Sequence, residues 1–270
     1  SYDVIIPSDY MVSRLISEDM LEPIDFTNVP NYSLIEDSLK NMAYDPDGTY
    51  SVPYMWGTTG IIYDPNVVGE VDSWSALFDE KNSGNILMFD NSRDAMGIAL
   101  KYLGYSLNTT DEAELNEAYE LLKQQKPLLQ GYVMDQIFDK LESGEAAIGP
   151  YYAGDYLTMY QNNPNLKFCV PKEGANIFVD AMCILKDAEN KANAEAFINF
   201  MSGTQQSMAN SEFIGYTSPN KEVKDLIDVD DFTKSIMYPD DATLANCEAY
   251  INLPQATLDY YDEMWVKLKS

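Results

Sequence analysis

Alternation of short apolar runs with amphipathic stretches constrains this chain more than any other feature. Val4-Ile5-Ile6, Ile86-Leu87-Met88-Phe89 and Ala146-Ala147-Ile148 are too short for helices and read as buried strands. Residues 51–64, 166–170 and 179–185 add further strand-like segments. Between them lie stretches of helical spacing at 11–21, 73–80, 92–103 and 133–141, the last ended by Gly144. Thr109-x-x-Glu112 is a capping box and predicts a helix to about Lys126, stopped by Pro127. Ala192, Ala196, Phe197, Phe200 and Met201 share one face of a helix over 190–202. Leu258, Tyr261 and Trp265 share one face of a final helix that starts near Pro254. Strands alternating with helices predict an α/β fold. The 270 residues allow one large or two moderate domains, with chain enough for a core that needs no disulfide or metal.

Ligands of open α/β sheets bind beyond the carboxyl ends of strands. The segments to inspect are therefore 8–10, 90–94, 151–155 and 178–180. They share carboxylates and aromatic rings, with Arg93 as the one strong positive charge. An anion site needs Arg, Lys or bare helix amides. A sugar site accepts carboxylates with aromatics. An organic cation asks for the same residues more sharply, because an ammonium pairs with a carboxylate and sits well on aromatic faces. For any single ring, packing in the core is the better reading; recurrence at successive strand ends is what favours a site.

Charge and composition remove other classes. Lys and Arg number 17 against 44 Asp and Glu, a formal net charge of −27. Such a surface repels phosphate backbones, which excludes nucleic-acid binding, and it concentrates cations. Histidine is absent from the sequence, which removes Ser-His-Asp and Cys-His sites and His-ligated zinc. Cys169, Cys183 and Cys247 are too widely spaced for a C-x-x-C motif and read as small buried hydrophobes. No apolar run approaches the ~18 residues of a membrane span. The start, Ser1-Tyr2-Asp3-Val4-Ile5-Ile6-Pro7, carries no basic segment before an apolar one and reads as a strand inside a domain.

Several motifs then occur in a telling order. They are Tyr2-Asp3-Val4-Ile5-Ile6-Pro7-Ser8-Asp9-Tyr10, Tyr50-Ser51-Val52-Pro53-Tyr54-Met55-Trp56-Gly57 and Asp90-Asn91-Ser92-Arg93-Asp94. Leu103-Gly104-Tyr105-Ser106-Leu107-Asn108-Thr109-Thr110-Asp111 and Pro171-Lys172-Glu173-Gly174 with Asp180 follow. Ile214-Gly215-Tyr216-Thr217-Ser218-Pro219-Asn220 and Trp265-Val266-Lys267-Leu268-Lys269 complete the series. Together they resemble the polyamine-binding proteins, the spermidine/putrescine solute-binding components of ABC transporters, over essentially the whole chain.

The resemblance implies a two-lobe type II periplasmic-binding fold, with mixed sheets flanked by helices and a ligand cleft between lobes that close about the crossovers. It implies a first lobe of 1–57 and 179–224 and a second of 58–178 and 225–270. It implies binding without catalysis or cofactor, a membrane permease as partner and a monomeric state. It also implies a periplasmic or extracellular location, with or without an anchor in a preceding segment. Among ligand positions, Ser8 and Tyr10 match a polar contact and an aromatic wall. Asp94 falls where the family has an amine-binding Glu, and Asn91 where it has an Asp. Tyr152 and Phe178 stand where Trp is frequent. Asp180 matches the carboxylate that pairs with an amino group, Tyr216 another aromatic contact, and Tyr250 a polar position near the C-terminus. The shorter Asp94, the uncharged Asn91 and the two lost Trp leave amine recognition intact as a class and change the choice among amines. Family members carry a further strand and helix before the first motif, roughly 30 residues. The chain is accordingly expected to be a shortened form of a longer one.

Two other readings compete. Tyr151-Tyr152 resembles the paired tyrosines of ferric-ion-binding relatives, and phenolates with carboxylates suit trivalent iron. An acidic glycosidase would need two carboxylates about 5–9.5 Å apart, one with a raised pKa, and no local motif supports it.

Overall fold

The structure is a computed structural model that describes residues 2–270; Ser1, the start of the expected opening strand segment, lies outside the described residues. The strands are β1 (Val4–Ile5), β2 (Leu21–Glu22), β3 (Ser51–Tyr63), β4 (Ile86–Phe89), β5 (Leu129–Val133), β6 (Ile148–Tyr152), β7 (Lys167–Cys169) and β8 (Ile177–Leu185). The helices are α1 (Asp9–Ser17), α2 (Pro65–Val68), α3 (Ser92–Leu103), α4 (Glu112–Gln125), α5 (Gln136–Glu142) and α6 (Ala153–Asn162). They continue with α7 (Lys191–Met201), α8 (Thr204–Ile214), α9 (Lys221–Leu226), α10 (Asp231–Met237), α11 (Asp241–Leu244) and α12 (Gln255–Lys269).

These elements form two compact units. Unit 1 comprises Ser1–Gly57, Ile177–Tyr238 and Ala249–Asn252; unit 2 comprises Thr58–Asn176, Pro239–Glu248 and Leu253–Ser270. The chain leaves unit 1 after Gly57, inside β3, and returns at Ile177. The expected exit after Lys224 lies instead after Tyr238. The physical reason is that residues 225–238 are anchored in unit 1. Thr217 Oγ1 donates to the Met237 carbonyl at 2.9 Å, and the Lys224 ammonium lies 5.5 Å over the Tyr238 ring. That ring in turn meets Trp56 edge-on, with centroids 6.4 Å apart.

In unit 1, β8 runs antiparallel to β1, with Val4 opposite Ile184 and Ile5 opposite Cys183, and antiparallel to β2. The opening run is less buried than its composition suggests: Val4 and Ile5 are half-buried and Ile6 is exposed. Val12 of α1 and Val179, Ala181, Met182, Cys183 and Ile184 of β8 supply fully buried apolar side chains. Helix α7 buries a face other than the one its apolar residues share. Its buried residues are Ala194, Glu195 and Ile198, whereas Phe197 and Phe200 are exposed. A carboxylate displaces phenylalanines from the core because Glu195 is satisfied there: it accepts from the Asp25 amide at 3.0 Å and from Asn28 Nδ2 at 2.7 Å.

In unit 2, β3 is antiparallel to β6 and β7, and β4 is parallel to β5 and β6. All four residues of β4 are buried, as its unbroken Ile-Leu-Met-Phe run requires of a strand covered on both faces. Helix α3 spans the expected residues, capped by the Asn91 side chain and ended by left-handed Gly104. Helix α4 is capped differently from the expectation. Asp111, not Thr109, accepts from the Ala113 and Glu114 amides, at 2.8 and 3.4 Å. Residues 129–133, part of which reads as helix, form β5 because they pair in parallel with β4. At the C-terminal end, α12 docks Trp265 edge-on against Tyr132 at 5.3 Å, and Lys269 forms an ion pair with Asp90.

Cys169, Cys183 and Cys247 are free thiols. Burial raises each thiol's pKa, that of Cys169 to about 12, which fits inert packing residues. Among the described residues no helix is long and apolar enough to cross a membrane.

Candidate functional site

The antiparallel pairing of β1 and β8 decides where Asp180 sits. The sequence places it near a strand end, but it is the fourth residue of β8, close to the strand's beginning. Because β8 runs against β1, that beginning meets the carboxyl end of β1. Ser8 and Asp180 form a bridge, and Ser8 Oγ donates to Asp180 Oδ1 at 2.7 Å. Burial holds the Asp180 carboxyl above the usual carboxylate range, against the smaller lowering influence of the Ser8 hydroxyl. Among the described residues Asp180 has no ion-pair partner.

Aromatic rings of unit 1 accompany it. Phe178 and Tyr216 meet at 60° with centroids 5.5 Å apart. The Phe178 ring lies over Gly57, where an added Cβ would come within 2.7 Å of it. Tyr10, in the first turn of α1, is 49% exposed. Tyr250 is buried, in the short stretch Ala249–Asn252 that belongs to this unit. Of the expected site residues, unit 1 thus contains Ser8, Tyr10, Phe178, Asp180, Tyr216 and Tyr250, and the structure brings Ser8 to Asp180 and Phe178 to Tyr216.

Three residues near this set were not anticipated. Tyr54 is half-buried on β3, and its phenol is pushed up by burial first and by the Asp180 charge second. Trp56 donates from Nε1 to the Ser218 carbonyl at 3.3 Å and so fixes the strip after Tyr216. Asp9, 1% exposed, accepts from the amides of Tyr10 and Val179. All three lie within quoted motifs, yet only distant partners show what they do.

Unit 2 holds Asn91, Asp94 and Tyr152. Asn91 Oδ1 accepts from the Arg93 and Asp94 amides at 2.8 and 3.2 Å, so its oxygen caps α3. Asp94 is half-buried in the first turn of that helix. Arg93 is drawn aside: its Nη2 donates to Asn108 Oδ1 at 2.8 Å, and its guanidinium lies 5.7 Å over the Tyr261 ring. Tyr152 ends β6 and tilts against Phe89, with centroids 5.7 Å apart.

The ferric reading meets a different geometry. Tyr151 is buried and donates its hydroxyl to Asp135 Oδ1 at 2.9 Å, while Phe138 packs edge-on against its ring at 5.8 Å. Among the described residues no His, Cys, Asp and Glu side chains gather in a group of three that could hold a metal ion.

The sequence matches the family model for bacterial extracellular solute-binding proteins over residues 1–244. It is similar to the spermidine/putrescine-binding periplasmic protein of Escherichia coli (strain K12), 32% identical over 272 residues, covering 100% of this chain and 78% of the relative. It is 28% identical over 292 residues to the putrescine-binding periplasmic protein SpuD of Pseudomonas aeruginosa (strain UCBPP-PA14), covering 100% and 79%. Among solved structures, the spermidine/putrescine ABC transporter substrate-binding protein PotD of Streptococcus pneumoniae superposes with a TM-score of 0.91 at 33% identity, covering 100% of this chain and 84% of that one. The fold and the family resemblance expected from the motifs are both borne out by these likenesses. A two-unit α/β architecture, a family match across most of the length and a near-superposition on a substrate-binding protein have one common reading: the chain belongs to the family of bacterial extracellular solute-binding proteins.

Proposed function

We propose that this chain is the extracytoplasmic substrate-binding component of an ABC importer, that its ligand is a polyamine such as putrescine or spermidine, and that it delivers that ligand to a membrane permease. The observation that carries the reading is Asp180. It is a half-buried carboxylate, pushed up by desolvation, held by Ser8 and without a protein cation beside it. Such a group is stabilised by an incoming ammonium. Phe178 and Tyr216 offer apolar faces to the methylene chain, with Tyr10, Tyr54 and Tyr250 completing the set in unit 1. In unit 2 the same reading assigns Asp94 to an ammonium and Tyr152 to a methylene wall, with Asn91 shaping the turn that presents Asp94. The names of the relatives agree, since both curated proteins are named for polyamines. The net charge of −27 speeds the arrival of a cation.

The test is a thermal-shift panel with putrescine, spermidine, spermine, cadaverine, ferric ion and several sugars. A ligand at about 100 times its dissociation constant adds ~2.7 kcal/mol of stability. For a protein of this size the melting point rises by roughly 2–4 °C. A rise with one or more amines and none with sugars or ferric ion is expected; a rise with ferric ion alone overturns the reading.

A second expectation concerns the aromatic wall. Gly57→Ala places a methyl against the Phe178 ring, which must shift from the position in which it now meets Tyr216 edge-on. Amine affinity falls by roughly tenfold, an edge-to-face pair being worth ~0.5–1.5 kcal/mol. The ligand-free protein also melts lower, by a few degrees, since overpacking costs ~1–3 kcal/mol. Calorimetric titration beside a ligand-free melt checks both halves.

A further inference from the structure

We infer that Asp9 is a positioning residue for ligand binding, acting through the segments that carry Ser8, Tyr10, Phe178 and Asp180; the inference rests on the polyamine reading above. The two segments are joined rung by rung. The Ala181 amide donates to the Pro7 carbonyl at 3.0 Å, and the Ser8 hydroxyl donates to Asp180 at 2.7 Å. Asp9 makes the third link with its side chain. Oδ1 accepts from the Tyr10 amide at 2.6 Å, and Oδ2 accepts from the Val179 amide at 3.3 Å. The side chain is 1% exposed, so ligand does not touch it in place of these partners.

Every residue that Asp9 holds is next to, or is itself, a candidate ligand residue. Tyr10 follows it directly. Val179 stands between Phe178 and Asp180. The chemistry demands a carboxylate rather than a carboxamide. Two backbone N–H groups converge from different segments, and each needs an acceptor. Ionised aspartate offers two acceptor oxygens, whereas asparagine offers one oxygen and one amino group. In Asp9→Asn one of the two N–H groups therefore faces another donor, and the segments part at that rung.

A plain loss of stability must be separated from lost positioning, and Glu195 supplies the control. It too is a buried carboxylate of unit 1 that holds a distant segment, accepting from Asp25 and Asn28, but that segment carries no candidate ligand residue. Wild type, Asp9→Asn, Glu195→Gln, Ser8→Ala and the double variant Ser8→Ala/Asp9→Asn are titrated calorimetrically with putrescine and with spermidine. Melting and amide hydrogen exchange are measured without ligand. Both carboxamide variants are expected to melt lower. Asp9→Asn weakens amine binding about tenfold or more, and Glu195→Gln changes it less than about twofold. Exchange at residues 8–10 and 178–181 rises in Asp9→Asn and in the double variant, and not in Glu195→Gln. The double variant loses less affinity than the two single losses combined, because one device is broken twice. Amine affinity in Asp9→Asn within twofold of wild type, or additive losses, overturns the inference. If wild type binds neither amine, the polyamine reading fails by itself. The exchange data then decide on Asp9: unaltered exchange at those residues overturns the clamp.

Discussion

Asp180→Asn lowers polyamine affinity at least tenfold and leaves the ligand-free protein as stable as the parent or more so. The two halves have one cause. Removing one partner of a buried, hydrogen-bonded charge pair typically costs ~2–5 kcal/mol, and in the proposed reading the lost partner is the one that faces the ligand ammonium. Without ligand the same charge is a burden, because burial outweighs the Ser8 hydrogen bond and holds the carboxyl above its ordinary range. An acid whose pKa is higher in the folded state than in the unfolded one binds its proton more tightly when folded. Its contribution to stability is therefore greatest at low pH and declines as pH rises from the unfolded value through the raised one. Asparagine keeps an oxygen for Ser8 and escapes that decline. Ligand affinity runs the other way in wild type, falling as pH drops through the raised Asp180 value, since a protonated carboxyl offers an ammonium no counter-charge. Calorimetric titration across the acid range, beside ligand-free melts of both proteins, checks each limb. Equal affinities at neutral pH would remove Asp180 from the site.

Gly174→Ala is expected to destabilise unit 2 by roughly 2–5 kcal/mol, through backbone strain added to overpacking. Gly174 has a φ of +89°, in the region that side chains avoid. A methyl there would stand 2.0 Å from the Asn246 carbonyl oxygen and 2.4 Å from its carbonyl carbon, which are backbone atoms and do not rotate away. The residue is also tied from the other side, its carbonyl accepting from Trp74 Nε1 at 2.8 Å, with Trp74 fully buried. The change thus presses residue 246 outward or breaks the Trp74 bond. Chemical denaturation followed by tryptophan fluorescence measures it. By contrast Gly131→Ala meets nothing within 4 Å and serves as a neutral comparison.

How much of this was legible depends on the range of the interactions concerned. Helix α3 is bounded by local signals, an Asn cap and a left-handed glycine, and its extent was readable to the residue. β4 announced itself by an unbroken apolar run. β5 did not, because Leu129-Gln130-Gly131-Tyr132-Val133 has no strand-like alternation and becomes a strand only by pairing with β4. The buried face of α7 is not marked by its apolar residues for a similar reason: Glu195 enters the core by virtue of Asp25 and Asn28, some 170 positions away in sequence. For the candidate site, the strand-end argument named segments and the resemblance named residues within them. Neither could say that Asp180 meets Ser8 across the sheet, or that Asp9 between two named residues holds both segments. Those facts belong to the register of β1 against β8.

That register also fixes when the site can exist. Most of unit 2 is one continuous stretch, Thr58–Asn176, whose strands pair with neighbours in the same stretch. Unit 1 is drawn from three separate stretches, and Val4 waits for Ile184 before β1 has its partner. Closing so long a loop is slow relative to local pairing. The bulk of unit 2 therefore consolidates first, while residues 2–57 stay uncommitted until β8 is available to them. In a refolding experiment the fluorescence of Trp74 recovers ahead of amine binding. Capture of ligand is the last ability the chain acquires as it folds, and the first to go when β1 and β8 separate.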